Sequence, residues 1–144
     1  MCSGGILIFM PLTAYGFGSI SSPVWTVELA PEFEPELLAL AAEVRIELLA
    51  QARVIERFGP TTGRPRVDTL NGSKHANMKE LRFDAEGGVW RVAFTFDPRR
   101  RAILLVAGDK SGRSERAFYR RLIAAADARF GTHLERMKRR SSGR

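Results

Sequence analysis

A chain of 144 residues is the length of one domain and can bury an adequate core without staples. Its composition, 44% hydrophobic and 27% charged, is that of a soluble globular protein, and the single cysteine, Cys2, excludes an internal disulfide framework and any cysteine-based zinc site. With only two histidines, His75 and His133, a histidine-rich metal site is also excluded, so neither metal nor cofactor is expected.

The charge points to a class of partner. Twenty-three Lys and Arg against 16 Asp and Glu leave +7, which favours nucleic acid, an acidic membrane surface or an acidic protein. The charge is also unevenly spread. From Trp25 to Phe58 glutamates outnumber arginines, whereas from Arg64 onward the basic residues dominate.

Residues 1–23 stand apart. Gly4–Ser22 carries no charge, its apolar run Ile6–Met10 is short, and Pro11, Gly16 and Gly18 follow. The run is too brief and interrupted to span a bilayer and lacks a cationic start, so it reads as a disordered or loosely packed extension, with a degenerate signal peptide as the alternative. Trp25–Ala30 alternates as a strand does, and Pro31 ends it. A long amphipathic helix is predicted from Glu34, with Pro35 in its first turn and Leu37, Ala41, Val44, Leu48, Ala52 and Ile55 on one face. A break between two helices near Val44–Glu47 is an alternative, and Gly59-Pro60 closes the segment.

Thr61–Asn77 is polar and reads as a loop. Two runs of period two follow, Glu80–Ala85 and Trp90–Asp97, with Gly87-Gly88 between them as a two-residue hairpin loop. A second turn at Asp97–Arg101 leads to the uniformly apolar strand Ala102–Ala107. Gly108–Gly112 breaks it, and a final helix starts near Ser114 with Phe118, Leu122, Ala126 and Phe130 on its apolar face. The domain is taken as residues 24–135, followed by a basic tail, 136–144, that frays. The fold class is α+β: a long helical segment packed on a small, mainly antiparallel sheet of an N-terminal strand plus a three-stranded meander, closed by a C-terminal helix.

A loop at Gly87-Gly88 pairs Phe83 with Val92, Leu81 with Phe94 and Ala85 with Trp90, so the apolar residues share one face. On the other face Asp84 pairs with Arg91, an ion pair that accounts for Arg91, and Arg82 faces the small Ala93. Arg82 is therefore the arginine available to a ligand. A second group gathers where the last helix begins: Lys110, Arg113, Arg116, Tyr119 and Arg120. Cations there oppose the helix dipole by about 0.3–1 kcal/mol each. A phosphate among them would relieve the conflict and accept from the free N–H groups of the first turn.

The run Met78-Lys79-Glu80-Leu81-Arg82, then Trp90-Arg91-Val92, then Ile103–Val106 with Gly108-Asp109-Lys110 and Phe118-Tyr119, resembles RelE-superfamily toxins of type II toxin–antitoxin modules, above all the HigB-like, phage-derived branch. The resemblance spans about residues 24–135 and rests on the order and spacing of these motifs. It implies a RelE-like compact domain and an mRNA endoribonuclease, often acting in the ribosomal A site, in the cytoplasm. The catalytic set it implies is Arg82, Lys110, Arg116 and Tyr119, with Arg91, Arg113, Lys79 and Arg120 contacting RNA. Two departures stand out: Asp109-Lys110-Ser111 replaces the paired lysines common after the last strand, and no histidine lies close by.

Such chemistry suits the residues present. RNA carries its own nucleophile, the 2′-hydroxyl, so the protein needs to align it, stabilise a phosphorane and manage two protons, without a metal. The partners implied are a cognate antitoxin of helix-turn-helix type, mRNA and the ribosome, and no membrane. Because fold does not fix function, the alternatives are a ParE-like poison of DNA gyrase and a phage-derived binding protein with little catalytic activity.

Overall fold

The computed structural model describes residues 25–143, so the extension read at residues 1–23 lies outside the described residues. Thr26–Leu29 form β1, and the chain then turns at Pro31 into α1, Glu34–Ala39. Pro35 sits in the first turn of α1 beside Glu34 and Glu36, where acidic side chains suit the positive helix end.

The helical segment is two helices, not one. Leu40 and Ala41 are extended, at ψ 156° and 146°, and α2 runs from Ala42 to Phe58. The break therefore precedes the Val44–Glu47 stretch, and Ala41 is exposed instead of joining the apolar face. Arg45 stabilises the break by donating to the carbonyls of Leu40 (2.6 Å) and Leu38 (3.3 Å), which the end of α1 leaves without helical partners. The rest of the apolar face is as expected: Leu37, Val44, Leu48, Ala52 and Ile55 are buried.

Gly59 ends α2 at φ 57°, with the Trp25 indole occupying the space a side chain would need. A short 3-10 turn, Gly59–Thr61, follows. The polar stretch read as a loop contains one further strand, β2, Val67–Thr69. It is only three residues long and lies at the sheet edge, too brief to show a period.

β3 (Lys79–Ala85), β4 (Gly88–Phe96) and β5 (Arg101–Asp109) form the meander. The five strands lie in the order β1-β5-β4-β3-β2, with β1 parallel to β5 and every other pairing antiparallel. The architecture is α+β with a mixed sheet of one strand more than expected.

The hairpin turn sits at Glu86-Gly87, both at positive φ (51° and 73°), one residue earlier than the Gly87-Gly88 loop. Gly88 belongs to β4, where a Cβ would come within 2.8 Å of the Asp109 carboxylate and 2.9 Å of Trp90 Nε1. Leu81 therefore pairs with Val92, Phe83 with Trp90, Asp84 with Val89 and Arg82 with Arg91. The faces survive because moving the turn by one residue shifts the pairing by two, an even step that leaves every side chain on its side: Leu81, Phe83, Val92 and Phe94 remain buried.

α3, Glu115–Ser142, covers the other side. Ser114 caps it by accepting from the N–H of Ala117, and Phe118, Leu122, Ala126 and Phe130 face the sheet as expected. The tail read as fraying continues this helix to Ser142. His133 in its lower half meets Asp97 at 3.0 Å, and Arg129 pairs with Glu36 and donates to the Leu105 carbonyl at 2.8 Å.

Candidate functional site

The slipped register decides what surrounds each arginine. Glu80 and Arg82, two apart on β3, leave the strand on the same face. Arg82 reaches back to Glu80 through Nε (2.9 Å) and Nη2 (2.8 Å), and also lies 3.4 Å from Asp68 on β2. It is thus paired with two carboxylates and does not stand free opposite Ala93. The hydrogen bond from Arg82 to Glu80 raises the guanidinium pKa, so its charge is fixed.

Arg91 does not pair with Asp84. Its Nε donates to the Tyr119 hydroxyl at 3.2 Å and lies 3.9 Å from Glu80, while Nη1 donates to the Trp90 carbonyl. Tyr119 in turn donates to Glu80 at 2.8 Å. Burial and this bond to Glu80 push the Tyr119 phenol above its ordinary value, keeping its proton in place at neutral pH. The buried carboxylate of Glu80, 3% exposed as a residue, is the hub. A carboxylate so enclosed is tolerated because two guanidiniums and a hydroxyl satisfy it.

Lys110, at the exit of β5, holds its ammonium 5.7 Å from the centre of the Tyr119 ring and 3.6 Å from Glu115. Its backbone N–H donates to Val89, which fixes the strand exit against β4. Beside it the Asp109 carboxyl organises the turn. Burial would raise its pKa, but bonds from the side chain and N–H of Ser111 and from the N–H of Val89, with the charge of Arg113, hold it below the ordinary range. Arg113, Arg116 and Arg120 are exposed at the start of α3, on the rim of the cluster and not inside it. Arg116, Tyr119 and Arg120 share one side of the helix by their spacing. Lys79 falls on the face of β3 opposite Glu80 and Arg82 and does not join the group.

Arg82 and Arg91 also line an open groove with Phe83, Asp84, Pro65 and Arg66. Arg66 is held there by donating to Gln51 of α2 at 2.5 Å. Around one enclosed carboxylate and one phenol the protein thus sets Arg82, Arg91 and Lys110, with exposed arginines at the rim. Guanidiniums and an ammonium in this arrangement are chemically suited to pairing with an anion that has several acceptor oxygens. Among the described residues no group of three or more His, Cys, Asp or Glu is arranged to hold a metal ion. No helix among them is long and apolar enough to cross a membrane.

Glu80 and Asp68 were not singled out in the sequence. The signal for Glu80 was its place two residues before Arg82 on the polar face of a strand, an acidic residue in the basic half of the chain. Asp68 left no comparable signal in a three-residue edge strand.

The profile of the phage-derived Gp49-like protein family matches residues 35–131. The chain is 42% identical over 111 residues to a Mycobacterium tuberculosis (strain ATCC 25618 / H37Rv) protein named as toxin HigB2, a match covering 76% of this chain and 54% of that protein. It is 43% identical over 103 residues to one from the same organism named as toxin HigB3, covering 72% of this chain and 88% of that protein. The chain thus spans about half the length of HigB2. No solved structure matches it.

Proposed function

Because the chain belongs to the Gp49-like family of HigB-like toxins, we propose that it is the toxin of a toxin–antitoxin module and acts by cleaving mRNA in the cytoplasm, on translating ribosomes. The observation that carries the nuclease reading is the contact set Glu80–Tyr119–Arg91, with Arg82 on the same carboxylate and Lys110 over the phenol ring.

The reaction is attack of the RNA 2′-oxygen on the adjacent phosphorus. It forms the O2′–P bond, breaks P–O5′ and yields a 2′,3′-cyclic phosphate and a 5′-hydroxyl. Arg82 and Arg116 bind the non-bridging oxygens, where planar donors match the equatorial oxygens of the phosphorane. Lys110 orients the 2′-hydroxyl. Tyr119 gives its proton to the departing 5′-oxygen, and the proton lost by the 2′-hydroxyl returns to the phenol through Glu80, so the pair ends as it began. Arg91 holds the Tyr119 hydroxyl, and Arg113 and Arg120 engage flanking phosphates. The toxin's partner is a cognate antitoxin, for which a helix-turn-helix protein is our reading.

The test is primer extension on mRNA from cells expressing the chain, beside Arg82→Ala and Lys110→Ala. Discrete cleavages during translation that both substitutions abolish are the expected result. Full cleavage and growth inhibition by both variants overturn the reading. DNA double-strand breaks without mRNA cleavage assign the chain to the gyrase poisons instead.

A further inference from the structure

β5 runs on past the strand that covers its outer edge. β1 pairs with it only as far as Leu29 opposite Leu104, so Leu105–Asp109 have no strand on that side among the described residues. Leu105 is closed off, since its carbonyl accepts from Arg129 at 2.8 Å. Val106, Ala107, Gly108 and Asp109 are all partly exposed.

The ladder decides which backbone groups face outward. The Lys110 N–H donates to Val89 of β4, and backbone groups alternate sides along a strand. Those of Gly108 therefore also turn to β4, opposite Arg91, while those of Ala107 and Asp109 turn away from it. Ala107 thus presents one donor and one acceptor that no described residue takes. An extended chain laid in line with β1 pairs with them.

The same edge borders a groove between β5 and α3. Val106, Phe118 and Leu122 give it an apolar lining, and Gly108 adds no side chain to fill it. Arg113 and Arg121, both exposed, also line it, and neither is in salt-bridge contact with a carboxylate among the described residues. Asp109 supplies the carboxylate there, but Ser111 and the N–H of Val89 already engage it.

These features select one kind of occupant. Pairing with a strand edge needs a polypeptide backbone, which nucleic acid lacks, and alternate side chains then enter pockets beside it. The apolar lining takes a small branched side chain such as valine, which also favours extended chain. The arginines take acidic side chains on either side of it.

We propose that the edge Val106–Asp109 receives an extended, acidic segment of a protein partner by strand addition. The proposal rests on the toxin reading above and deepens it, because on that reading the partner is the antitoxin. Arg113 lines this groove, so a segment docked here withdraws from RNA a cation that the cleavage reading assigns to a flanking phosphate.

The test is a titration followed by two-dimensional amide NMR. The probe is a short synthetic peptide of alternating glutamate and valine, beside the same peptide N-methylated at every residue. The expected result is that the first peptide shifts the signals of Val106–Asp109 and slows hydrogen exchange at Ala107, whereas the N-methylated form does neither. Ala107→Pro removes the outward donor but no bond to β4, and should weaken the peptide by about 3–10-fold, the worth of one hydrogen bond. Arg121→Glu should weaken it by about 2–5-fold, and this exposed site keeps the test decisive if the proline variant does not fold. Equal binding of the N-methylated peptide overturns the proposal, and so do shifts confined to Leu38, Ile46 and Phe58. Protection of Ala107 that rises with protein concentration alone also overturns it, by giving the edge to a second copy of the chain. None of these readouts uses cleavage, so failure of the primer-extension test strikes the nuclease reading and leaves them standing.

Discussion

The hydroxyl of Tyr119 donates to the Glu80 carboxylate at 2.8 Å across 39 positions of sequence, and the same hydroxyl accepts from Arg91. One phenol thereby ties the final helix to the two central antiparallel strands. Tyr119→Phe keeps the ring under Lys110 and removes only this link. The expected stability loss is about 1 kcal/mol, the worth of an ordinary hydrogen bond. If Tyr119 supplies the leaving-group proton, cleavage drops by roughly 100-fold. Urea denaturation and primer extension on the same preparation separate the two, and equal small losses in both would reduce Tyr119 to a structural role.

The two strand arginines divide by what they hold. Arg82 makes both short bonds to the enclosed Glu80, whereas Arg91 lies 3.9 Å from it and holds the Tyr119 hydroxyl. Arg82→Ala is expected to abolish RNA cleavage and to cost on the order of 2–3 kcal/mol, because the enclosed carboxylate loses its nearest cation. Arg91→Ala should cost about 1 kcal/mol, the worth of its bond to Tyr119. Thermal melts of the two variants give the ranking, and a reversed order would make Arg91 the main counter-charge of Glu80.

Asp97 contributes to stability against acid. Burial alone would raise its carboxyl, but Arg101, His133 and the N–H groups of Arg101 and Arg99 outweigh it and hold the pKa below the usual 3.8. A carboxyl depressed on folding contributes stability that is complete above its unfolded value and lost as pH falls through the folded one. The wild-type urea midpoint should therefore fall as pH drops below about 4. Asp97→Asn should be less stable at pH 7, by about 3 kcal/mol, and show a flatter acid limb. A parallel acid limb in the variant would show that other carboxyls dominate.

Gly108 makes the contact between sheet and final helix close. A Cβ there would lie 2.9 Å from Cε1 of Phe118. Gly108→Ala is expected to destabilise by about 1–3 kcal/mol through overpacking. It should also reduce cleavage, since Tyr119 neighbours the displaced ring. Thermal denaturation combined with the cleavage assay checks both, and a neutral substitution would mean that Phe118 moves aside freely.

The burial pattern was legible from period alone because a strand's faces alternate whatever its partner. Leu81, Phe83, Val92 and Phe94 keep their side even though the turn lies one residue earlier. Which polar residue meets which is not protected in this way. That single step removed Asp84 from Arg91 and put Arg82 opposite Arg91. The step depends on Gly88 lying against Asp109 and Trp90, a tertiary contact that the local Gly-Gly signal does not carry. The cluster at the start of α3 was visible as spacing, but its division into an inner Tyr119 and outer Arg113, Arg116 and Arg120 required the helix to be set down on the sheet. Glu80 becomes a hub only when β3, β4 and α3 are assembled.

The side-by-side placement of β1 and β5 fixes an order of events at synthesis. The first strand leaves the ribosome early and has no hydrogen-bonding neighbour until residues 101–104 have followed it. The helix that supplies Tyr119 comes later still. Chains grow at about 5–20 residues per second, so every copy passes a period of seconds in which Arg82 and Glu80 exist but the phenol does not. On the proposed reading of Tyr119 as proton donor, the site is completed last, after its arginines and its carboxylate have already been made.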